Sequence, residues 1–478
     1  MFNAGLAAIV PMLCVTLAAL ASMGAEAFRD PDDRWPMGLL GVVGLLGAGA
    51  SAALLWNQNA AGFGVIIADN FGLFITFVLV IVGLLTIMFS SQVVQRDGLP
   101  SGEYYALTLF AIVGMMMMAT ANDLLVIFIA LEVLSLAVYV LTGINRGAAG
   151  TEAAFKYFLL GAFSSAFFLY GIAFTYGVTG STRLAAVGQA LAAQSATSNP
   201  LILVALGLLL VGFAFKISAV PFHMWTPDAY EGAPAIVTGF MSTGVKAAAF
   251  AAFARVFLST FEPFKDQWIP IVAVVAAATM ILGTVVGVAQ SNLKRMLAYS
   301  SIAHGGYLLV GLVAANQVGK AVILFYLLAY AVTNVAAFGV IAMLGTRERG
   351  NDELRDYAGL WYTHPALAAL MTVCLLSLGG IPPTAGFIAK WYIFSAAVSA
   401  GYYSLAIIGV LTSVVSVFFY IRVVVMMYMA ERTADLAVPH VSRLGVAALS
   451  LAIVAIFYLG ILPTHVLNMA ANSISTIF

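Results

Sequence analysis

Charged residues and cysteines are scarce in this 478-residue chain. Only 8% of its residues are charged, two are cysteines, and the formal net charge is zero. This balance gives no indication of nucleic-acid binding. Cys14 and Cys374 lie far apart in apolar stretches, so the sequence has neither a CxxC redox motif nor a cysteine set for an iron–sulfur cluster. A Gly-rich phosphate loop following a strand is also missing.

Long apolar runs dominate instead. Hydrophobic residues make up 63% of the sequence, and the mean hydropathy is +1.04. The first run has no preceding Lys or Arg, so it is not typical of a signal peptide. Runs of roughly 17–25 apolar residues have the length of a membrane-spanning helix. They predict an all-α polytopic membrane protein with about fourteen spans, near residues 4–22, 37–56, 71–91, 104–120, 123–143, 153–178, 200–222, 235–259, 268–289, 296–315, 319–344, 364–395, 402–429 and 443–462.

Basic residues sort unevenly between the two sides of the membrane. Fourteen spans put both termini on one side; with the termini outside, inside connections hold eleven Lys and Arg against three outside. Because short cytoplasmic connections are enriched in Lys and Arg, we expect both termini outside, in the periplasm of a bacterium. The inside set is Arg29, Arg34, Arg96, Arg146, Lys294, Arg295, Arg347, Arg349, Arg355, Arg432 and Arg443, and the outside set is Arg183, Lys265 and Lys320.

Spans seven and twelve contain helix-breaking residues close to a lysine. Pro221 follows Lys216 in span seven, and Pro382 and Pro383 precede Lys390 in span twelve. Proline removes a backbone donor and clashes with the preceding turn. Broken helices occur at membrane depth where they line a watery cavity or are buried in protein. We therefore expect a break in each span, although ordinary packing kinks are an alternative.

The two breaks suggest an internal repeat. Spans seven and twelve are five apart and cross in opposite directions, so a five-helix unit repeated in tandem is inverted, as in many ion transporters. The lysine precedes the proline in one span and follows it in the other, so the segments are not a simple copied motif. The predicted division is three N-terminal spans, a first repeat, a second inverted repeat, and a last helix with its tail, at residues 1–103, 104–260, 261–430 and 431–478.

Five ionisable residues interrupt the apolar spans: Lys156, Lys216, Lys246, Lys390 and Glu132. A charge at bilayer depth costs about 2.5–3.5 kcal/mol on insertion scales. Burial disfavours the charged form of a lysine and a neighbouring carboxylate favours it, so a change in their separation could switch a proton on or off. The presence of these residues despite this cost predicts that the protein moves a charged species, and protons are the leading candidate.

Several long strings resemble a known family. They are LEVLSLAVYVL (131–141), VPFHMWTPDAYEGAP (220–234), TGFMSTGVKAAAFAAFARVF (238–257), NLKRMLAYSSIAHGGYLL (292–309) and GGIPPTAGFIAKWYIF (379–394). The chain resembles the antiporter-like membrane subunits of the proton-pumping NADH:quinone oxidoreductase, respiratory complex I. Lys246 in VKAAAF and Lys390 after GGIPPTAGF point to the N type. APAIVTGFMSTG at 233–244 departs from the APTPV of the family pattern, which puts local helix geometry in doubt.

The resemblance implies roles for the ionisable residues. It implies that Glu132 is the partner of Lys216 and that Lys216 is the proton carrier of the first half. It also implies that Lys246 is the central relay and that Lys390 is the terminal site. A structural ion pair, or lysines that reach an interface, is the alternative. The family also places a lysine near Lys156, whose spacing from Glu152 equally fits a simple helix pair.

Two histidines complete the candidate set. His304 follows two serines on an apolar helix; an imidazole titrates near neutrality and can relay a proton, but it can equally be a hydrogen-bonded structural residue. His223, beside Pro221, is a candidate for the mouth of the pathway. With these two histidines, the candidate proton-translocation residues number seven.

The resemblance also implies a setting. The chain would be a subunit of an H⁺-translocating NADH:quinone reductase in the bacterial inner membrane, in contact with M-type and small K- and J-type subunits and with lipid. FMN, iron–sulfur clusters, NADH and quinone would bind to partner subunits, and no cofactor or metal to this chain. The alternatives are a subunit of a Na⁺(K⁺)/H⁺ antiporter, a membrane-bound hydrogenase or formate-type complex, or a scaffold whose charges merely pair.

Overall fold

The computed structural model describes residues 4–28, 36–194, 199–346, 350–431 and 442–477. Within these ranges, twelve helices are long and apolar enough to cross a membrane. Two shorter apolar helices, Leu201–Lys216 and Pro365–Gly379, begin where predicted spans seven and twelve begin. Together they account for the fourteen predicted segments, so the prediction of an all-α polytopic membrane protein is confirmed.

The N-terminal part consists of apolar helices and one antiparallel hairpin. In the hairpin, Ala61 pairs with Ile67. Asp69 begins the third long helix, where its carboxylate accepts a hydrogen bond from Gly72 N at 2.8 Å. The elements are α1 (Ala4–Ala7), α2 (Val10–Ala27), α3 (Met37–Leu55), β1 (Ala60–Gly62), β2 (Ile66–Ala68), α4 (Asn70–Arg96) and α5 (Ser101–Thr120).

The middle part contains the first helix break and a span that changes its winding. The span over residues 235–260 is not one α-helix, because two π-helical turns interrupt it. The elements are α6 (Leu124–Thr142), α7 (Ala148–Thr179), α8 (Leu184–Ala192), α9 (Leu201–Lys216), α10 (Trp225–Gly232), α11 (Ala235–Phe240), a π-helix (Met241–Val245), α12 (Lys246–Arg255) and a π-helix (Val256–Thr260).

The C-terminal part contains the second break. Predicted span twelve, 364–395, is two helices joined by residues 380–384. The elements are a 3₁₀-helix (Glu262–Phe264), α13 (Lys265–Val288), α14 (Leu293–Ala314), α15 (Gln317–Leu344), a 3₁₀-helix (Leu354–Tyr357), α16 (Leu360–Thr363), α17 (Pro365–Gly379), α18 (Ala385–Ser399), α19 (Tyr403–Met429), α20 (Arg443–Ile461) and α21 (Thr464–Ile474).

Three spans form the centre of the bundle. The span over residues 235–260 and helices α14 and α15 are almost entirely buried, whereas α2, α3, α19 and α20 each expose an apolar face. In a membrane such a face meets lipid or a neighbouring subunit. The polar residues of the central spans are therefore shielded from lipid by the chain itself.

The two broken helices end in the same way. Helix α9 is followed by Ser218 in the left-handed conformation (φ +63°), and α17 by Gly380 (φ +81°). After each, a backbone N–H reaches back five residues to a carbonyl, from Ala219 to Ala214 at 2.8 Å and from Ile381 to Leu376 at 3.0 Å. This is the Schellman arrangement that terminates a helix. Both predicted breaks are present; the inverted repeats themselves stay a prediction.

Contacts join connections that were predicted to share a face. Asp123 bridges to Arg183 between two predicted outside connections, and Asn292 bridges to Glu353 between two inside ones. This agreement supports the span count. Which face is periplasmic stays a prediction, and some residues counted for it lie outside the described residues: Arg29, Arg34, Arg347, Arg349 and Arg432.

Candidate functional site

Lys216 is the last residue of α9 and points into the bundle. Its residue is 3% exposed, and its Nζ donates a hydrogen bond to Ser135 Oγ on α6 at 2.7 Å. The rings of Tyr139 and Tyr157 lie beside the ammonium, with centroids at 5.5 and 5.6 Å. The C-terminal end of a helix carries partial negative charge, which favours a cation there. Because α9 stops at this residue, the lysine is held at the break.

Glu132 lies one turn before Ser135 on the same helix. Its Oε1 is shielded from solvent and has no hydrogen-bond partner among the described residues. Among the described residues, no ion pair joins the Glu132 carboxylate to Lys216. The Lys216 ammonium donates its hydrogen bond to the Ser135 hydroxyl instead. The two charged groups are near each other in the fold without direct contact. Their coupling would therefore act through space or through Ser135.

Lys246 begins α12, directly after the π-helical turn, and is also 3% exposed. Its Nζ donates to both the main-chain oxygen and Oγ of Ser301 on α14, the latter at 2.6 Å. The Tyr330 ring lies beside it with its centroid at 5.3 Å. Tyr230 OH is 3.4 Å from Ser301 Oγ and extends the contacts towards α10. Every hydrogen-bond partner of this ammonium in the described chain is neutral.

His304 is one turn further along α14. Its Nδ1 is 2.7 Å from Tyr326 OH, and its Nε2 is 3.4 Å from Tyr420 OH. Tyr420 OH in turn contacts Ser300 Oγ. The His304 residue is only 3% exposed. The tyrosine hydroxyls that its ring nitrogens contact can either donate or accept a proton.

Lys390 lies on α18 and reaches back to the end of α17. Its Nζ donates to the carbonyl oxygens of Leu378 and Gly379 at 2.8 and 3.0 Å, and to Ser413 Oγ at 2.9 Å. The two carbonyls are left free by the helix break, so the ammonium caps the C-terminal end of α17. The Tyr307 ring on α14 lies beside it, with its centroid at 5.1 Å.

Helix α14 connects these positions. It supplies Ser301 to Lys246, His304 to the tyrosine cluster, and the Tyr307 ring to Lys390. A Cβ added to Gly305 would lie 3.1 Å from the carbonyl oxygen of Ile217, the neighbour of Lys216, and 3.8 Å from Lys246 Nζ. Helix α14 therefore contacts Lys246 and Lys390 directly and lies against the residue that follows Lys216, with Gly305 near both that residue and Lys246.

Lys156 differs from the other three lysines. Its side chain is 45% exposed in this chain and pairs with Glu152 at 2.8 Å and with Asp228 at 3.0 Å. Arg295 also contacts Asp228, at 2.8 Å. Lys156 therefore lies on the outer surface of this chain, where carboxylates keep it paired, and its role stays a prediction. The geometry supports the simple-pair alternative.

His223 lies in the connection that follows the first break. It is half-buried, and its Nδ1 is shielded from solvent with no hydrogen-bond partner among the described residues. The structure does not bring it into contact with Lys216 or Lys246. Its place beside the broken helix is compatible with a mouth position.

No sequence pattern predicts several of the hydrogen-bond partners at these sites. Ser135, Ser301, Tyr326 and Tyr420 were unremarkable as single residues, and their roles depend on contacts between helices distant in sequence.

Another unforeseen feature is a buried ion pair in which Arg255 donates to both carboxylate oxygens of Asp69, at 2.7 and 2.9 Å. Within the described residues, no group of three His, Cys, Asp or Glu could hold a metal ion.

The fold and these residues define a class: a polytopic helical membrane protein with interrupted helices and lysines buried in its interior. The family described as "NADH:quinone oxidoreductase/Mrp antiporter, TM" matches residues 121–416. A protein of Trichlorobacter lovleyi named NADH-quinone oxidoreductase subunit N is 42% identical over 471 residues, which cover 98% of this chain and 97% of the relative. Another of that name, from Chloroflexus aggregans, is 39% identical over 472 residues, covering 98% and 96%.

The chain therefore belongs to the NADH:quinone oxidoreductase/Mrp antiporter family, among relatives named subunit N, and the resemblance noted from the sequence is confirmed. A chain of respiratory complex I from Thermus thermophilus with bound aureothin is 34% identical, with a TM-score of 0.81 and coverage of 96% of this chain and 99% of that one. A chain of the Mrp complex from Dietzia sp. DQ12-45-1b shares the fold at 22% identity, with a TM-score of 0.84 and coverage of 99% and 97%.

Proposed function

We propose that this chain is a proton-translocating membrane-arm subunit of an NADH:quinone oxidoreductase, complex I. The names of the relatives at about 40% identity over nearly the whole chain support the assignment to this complex. The translocase would carry out redox chemistry in other subunits, which would hold FMN, iron–sulfur clusters, NADH and quinone. This chain would contribute a proton path and bind none of these groups.

The observation that carries the proposal is the row of three enclosed lysines, Lys216, Lys246 and Lys390, each with only neutral hydrogen-bond partners among the described residues. Burying a charge without a counter-ion is expensive, and burial disfavours the charged form of a lysine. A lysine enclosed in this way can release its proton as well as hold it. That property suits a group that takes up and releases protons.

Two small cavities lie along the row. One, lined by Lys216, Ser164 and Ser165, has a volume of about 10 Å³; the other, lined by His304 and Thr333 among others, has the same volume. Each is about the space that one water molecule requires. Water there would extend the hydroxyl contacts of Lys216 and His304, and so would link groups that do not touch directly.

In the proposed mechanism, redox-driven changes in neighbouring subunits alter the separation of Glu132 and Lys216. A closer carboxylate favours the protonated lysine; a more distant one releases the proton, through Ser135 and water, towards Lys246. From there Ser301, His304 and the tyrosine hydroxyls lead to Lys390, the terminal site. His223 would lie at the mouth of the proton path, beside the first helix break. Lys156 would take part through its ion pairs at the surface of the chain.

The proposed organisation follows the sequence division: three N-terminal spans at 1–103, two inverted repeats at 104–260 and 261–430, and a last helix with its tail at 431–478. The two broken helices would be equivalent elements of the repeats. We place the chain in a bacterial inner membrane with both termini periplasmic, in contact with M-type and small K- and J-type subunits.

Purification of the tagged chain from membranes, followed by proton-uptake measurements in proteoliposomes, tests the proposal. NADH-oxidising and iron–sulfur subunits should co-purify, and Glu132→Gln and Lys216→Met should each reduce proton pumping per NADH oxidised while the complex stays assembled. Co-purification with antiporter subunits only, together with NADH-independent Na⁺/H⁺ exchange, would favour the antiporter alternative. Full pumping by both variants would contradict the assigned roles.

A further inference from the structure

A large apolar cavity lies among the helices of the bundle, and no residue of the lysine row lines it. Its volume is about 880 Å³, and helices α3, α4, α5, α15, α20 and α21 line it. Its wall is overwhelmingly hydrocarbon, with residues such as Val42, Leu84, Val332, Ala452 and Ala455. None of the seven candidate proton-translocation residues lines this cavity. The proton path therefore leaves this space without an assigned function.

The cavity is open on the apolar outer surface of the chain and extends inwards between the helices. At the opening, Leu39 and Leu451 are 58% exposed, whereas Val332 and Ala452 at the inner wall are 2% and 1% exposed. An occupant would enter sideways from the hydrocarbon region. An apolar site on the membrane-embedded surface of a protein selects a hydrocarbon chain over a polar solute.

The dimensions fit an acyl chain. Along α20 the lining runs from Leu444 to Leu459, which at 1.5 Å per residue is about 22 Å. Along α4 it runs from Ile81 to Gln95, about 21 Å. Both lengths exceed half of the ~30 Å hydrocarbon thickness and fall short of the whole, as for an extended chain entering from one leaflet.

One end of the cavity is polar. Ser91 and Gln95 line it near the end of α4, and the exposed Arg443 begins α20 next to the lining residue Leu444. This is the predicted inside face of the molecule. A guanidinium is well suited to pair with a phosphate group, and an amide can donate to an ester or phosphate oxygen. The positive charge at this end and the apolar length of the cavity therefore match the headgroup and the acyl chain of a single amphiphile.

We propose that this cavity is a binding site for a phospholipid of the inside leaflet. One acyl chain lies between α3, α4, α15 and α20, and the phosphate lies at Gln95 and Arg443. The lipid completes the packing between the N-terminal helices and α20, which otherwise leaves a gap in the bundle. The proposal is independent of the route that protons take.

The test uses the intact purified complex and phosphatidylglycerol with a photoreactive diazirine in its acyl chain. After detergent washing and illumination, crosslinked peptides are mapped by mass spectrometry. We expect labelling within α3, α4 and α20. Ala455→Phe, which fills the cavity, should reduce labelling there by about tenfold, and Ala452→Leu serves as a second filling variant. Val454→Phe is the matched control, because Val454 is 67% exposed on the same helix and does not line the cavity.

The outcomes separate the possibilities. Reduced labelling in the filling variants but not in Val454→Phe, with weaker retention of phosphatidylglycerol in Arg443→Gln, supports the site. Equal labelling in filled and control variants shows only general lipid contact and overturns it. Recovery of a quinone instead of phospholipid from the washed wild-type complex, absent from Ala455→Phe, also overturns it. Circular dichroism and subunit composition of each variant exclude misfolding as the cause.

Discussion

Lys246 donates hydrogen bonds to both the side chain and the main chain of Ser301, 55 residues further along the sequence. This contact attaches the start of α12 to the helix that also carries His304 and Tyr307. A π-helical turn directly precedes the lysine, and such turns inside α-helices often occur at functional sites. The contact defines the centre of the proposed path.

Replacement of Ser135 tests the contact at the first lysine. Ser135→Ala removes the acceptor of Lys216 Nζ, and a hydrogen bond to a charged group contributes about 1.5–3 kcal/mol. We expect the rate of NADH-driven proton translocation to fall by about tenfold. Ser22→Ala is the matched control, because Ser22 is also buried and donates to the carbonyl four residues earlier. Equal rates in the two variants would refute a role for Ser135.

Substitution of Gly305 tests the proposed proton route between the first and second lysines. A Cβ there would lie 3.1 Å from Ile217 O and 3.8 Å from Lys246 Nζ, so the side chain of Gly305→Val would occupy the space between the two sites. We expect translocation to be lost in an assembled complex. Gly177→Val provides the control in another helix, since a Cβ at Gly177 meets nothing within 4 Å. Normal pumping by an assembled Gly305→Val complex would show that protons do not pass here.

The surface network at Asp228 predicts a pH-dependent stability. Burial raises the pKa of the Asp228 carboxyl, but hydrogen bonds from Arg295 and Lys156 outweigh it and hold the pKa below its usual 3.8. A carboxyl with a lowered pKa stabilises the folded state above its unfolded pKa, and the contribution is lost as the pH falls. Asp228→Asn should lower the melting temperature at pH 7, by an amount that shrinks below about pH 3.8.

The expected loss of stability for Asp228→Asn is small, because these side chains are a third to nearly half exposed and solvent screens ion pairs at the surface. Asp266→Asn, an exposed acid at the start of α13, is the control. The melting temperature in detergent, followed by intrinsic fluorescence, provides the measurement. A difference between the variants that does not change with pH would contradict the assignment.

The buried Asp69–Arg255 pair predicts a much larger effect. The two side chains are 3% and 4% exposed, and removing one partner leaves the other charge buried alone. Such a loss typically costs about 3–5 kcal/mol. Asp69→Asn and Arg255→Met should each reduce thermal stability strongly, and the double variant should recover part of it. A double variant whose loss equals the sum of the single losses would show that the two residues are not coupled.

The sequence predicted the helices and their breaks well, because a bilayer demands long apolar helices and because proline acts locally on the chain. The buried positions of Lys216, Lys246 and Lys390 followed from their place within those runs. The exposure of Lys156 did not, since it depends on how α7 turns towards Asp228. The partners Ser135, Ser301 and Asp69 depend on packing between distant segments, which no local pattern reports. The roles of the site residues stay predictions.

The central claim is that Lys246 carries protons. The most direct measurement is proton uptake per NADH oxidised in proteoliposomes, compared between complexes that carry Lys246→Met and Lys265→Met. Lys265 is the control because its side chain is 52% exposed and pairs with Glu262 at the surface. Positioned proton-transfer groups typically contribute 10²–10⁴-fold, so we expect Lys246→Met to lose most of its uptake and Lys265→Met to keep the wild-type ratio. Equal ratios in both assembled variants would contradict the account.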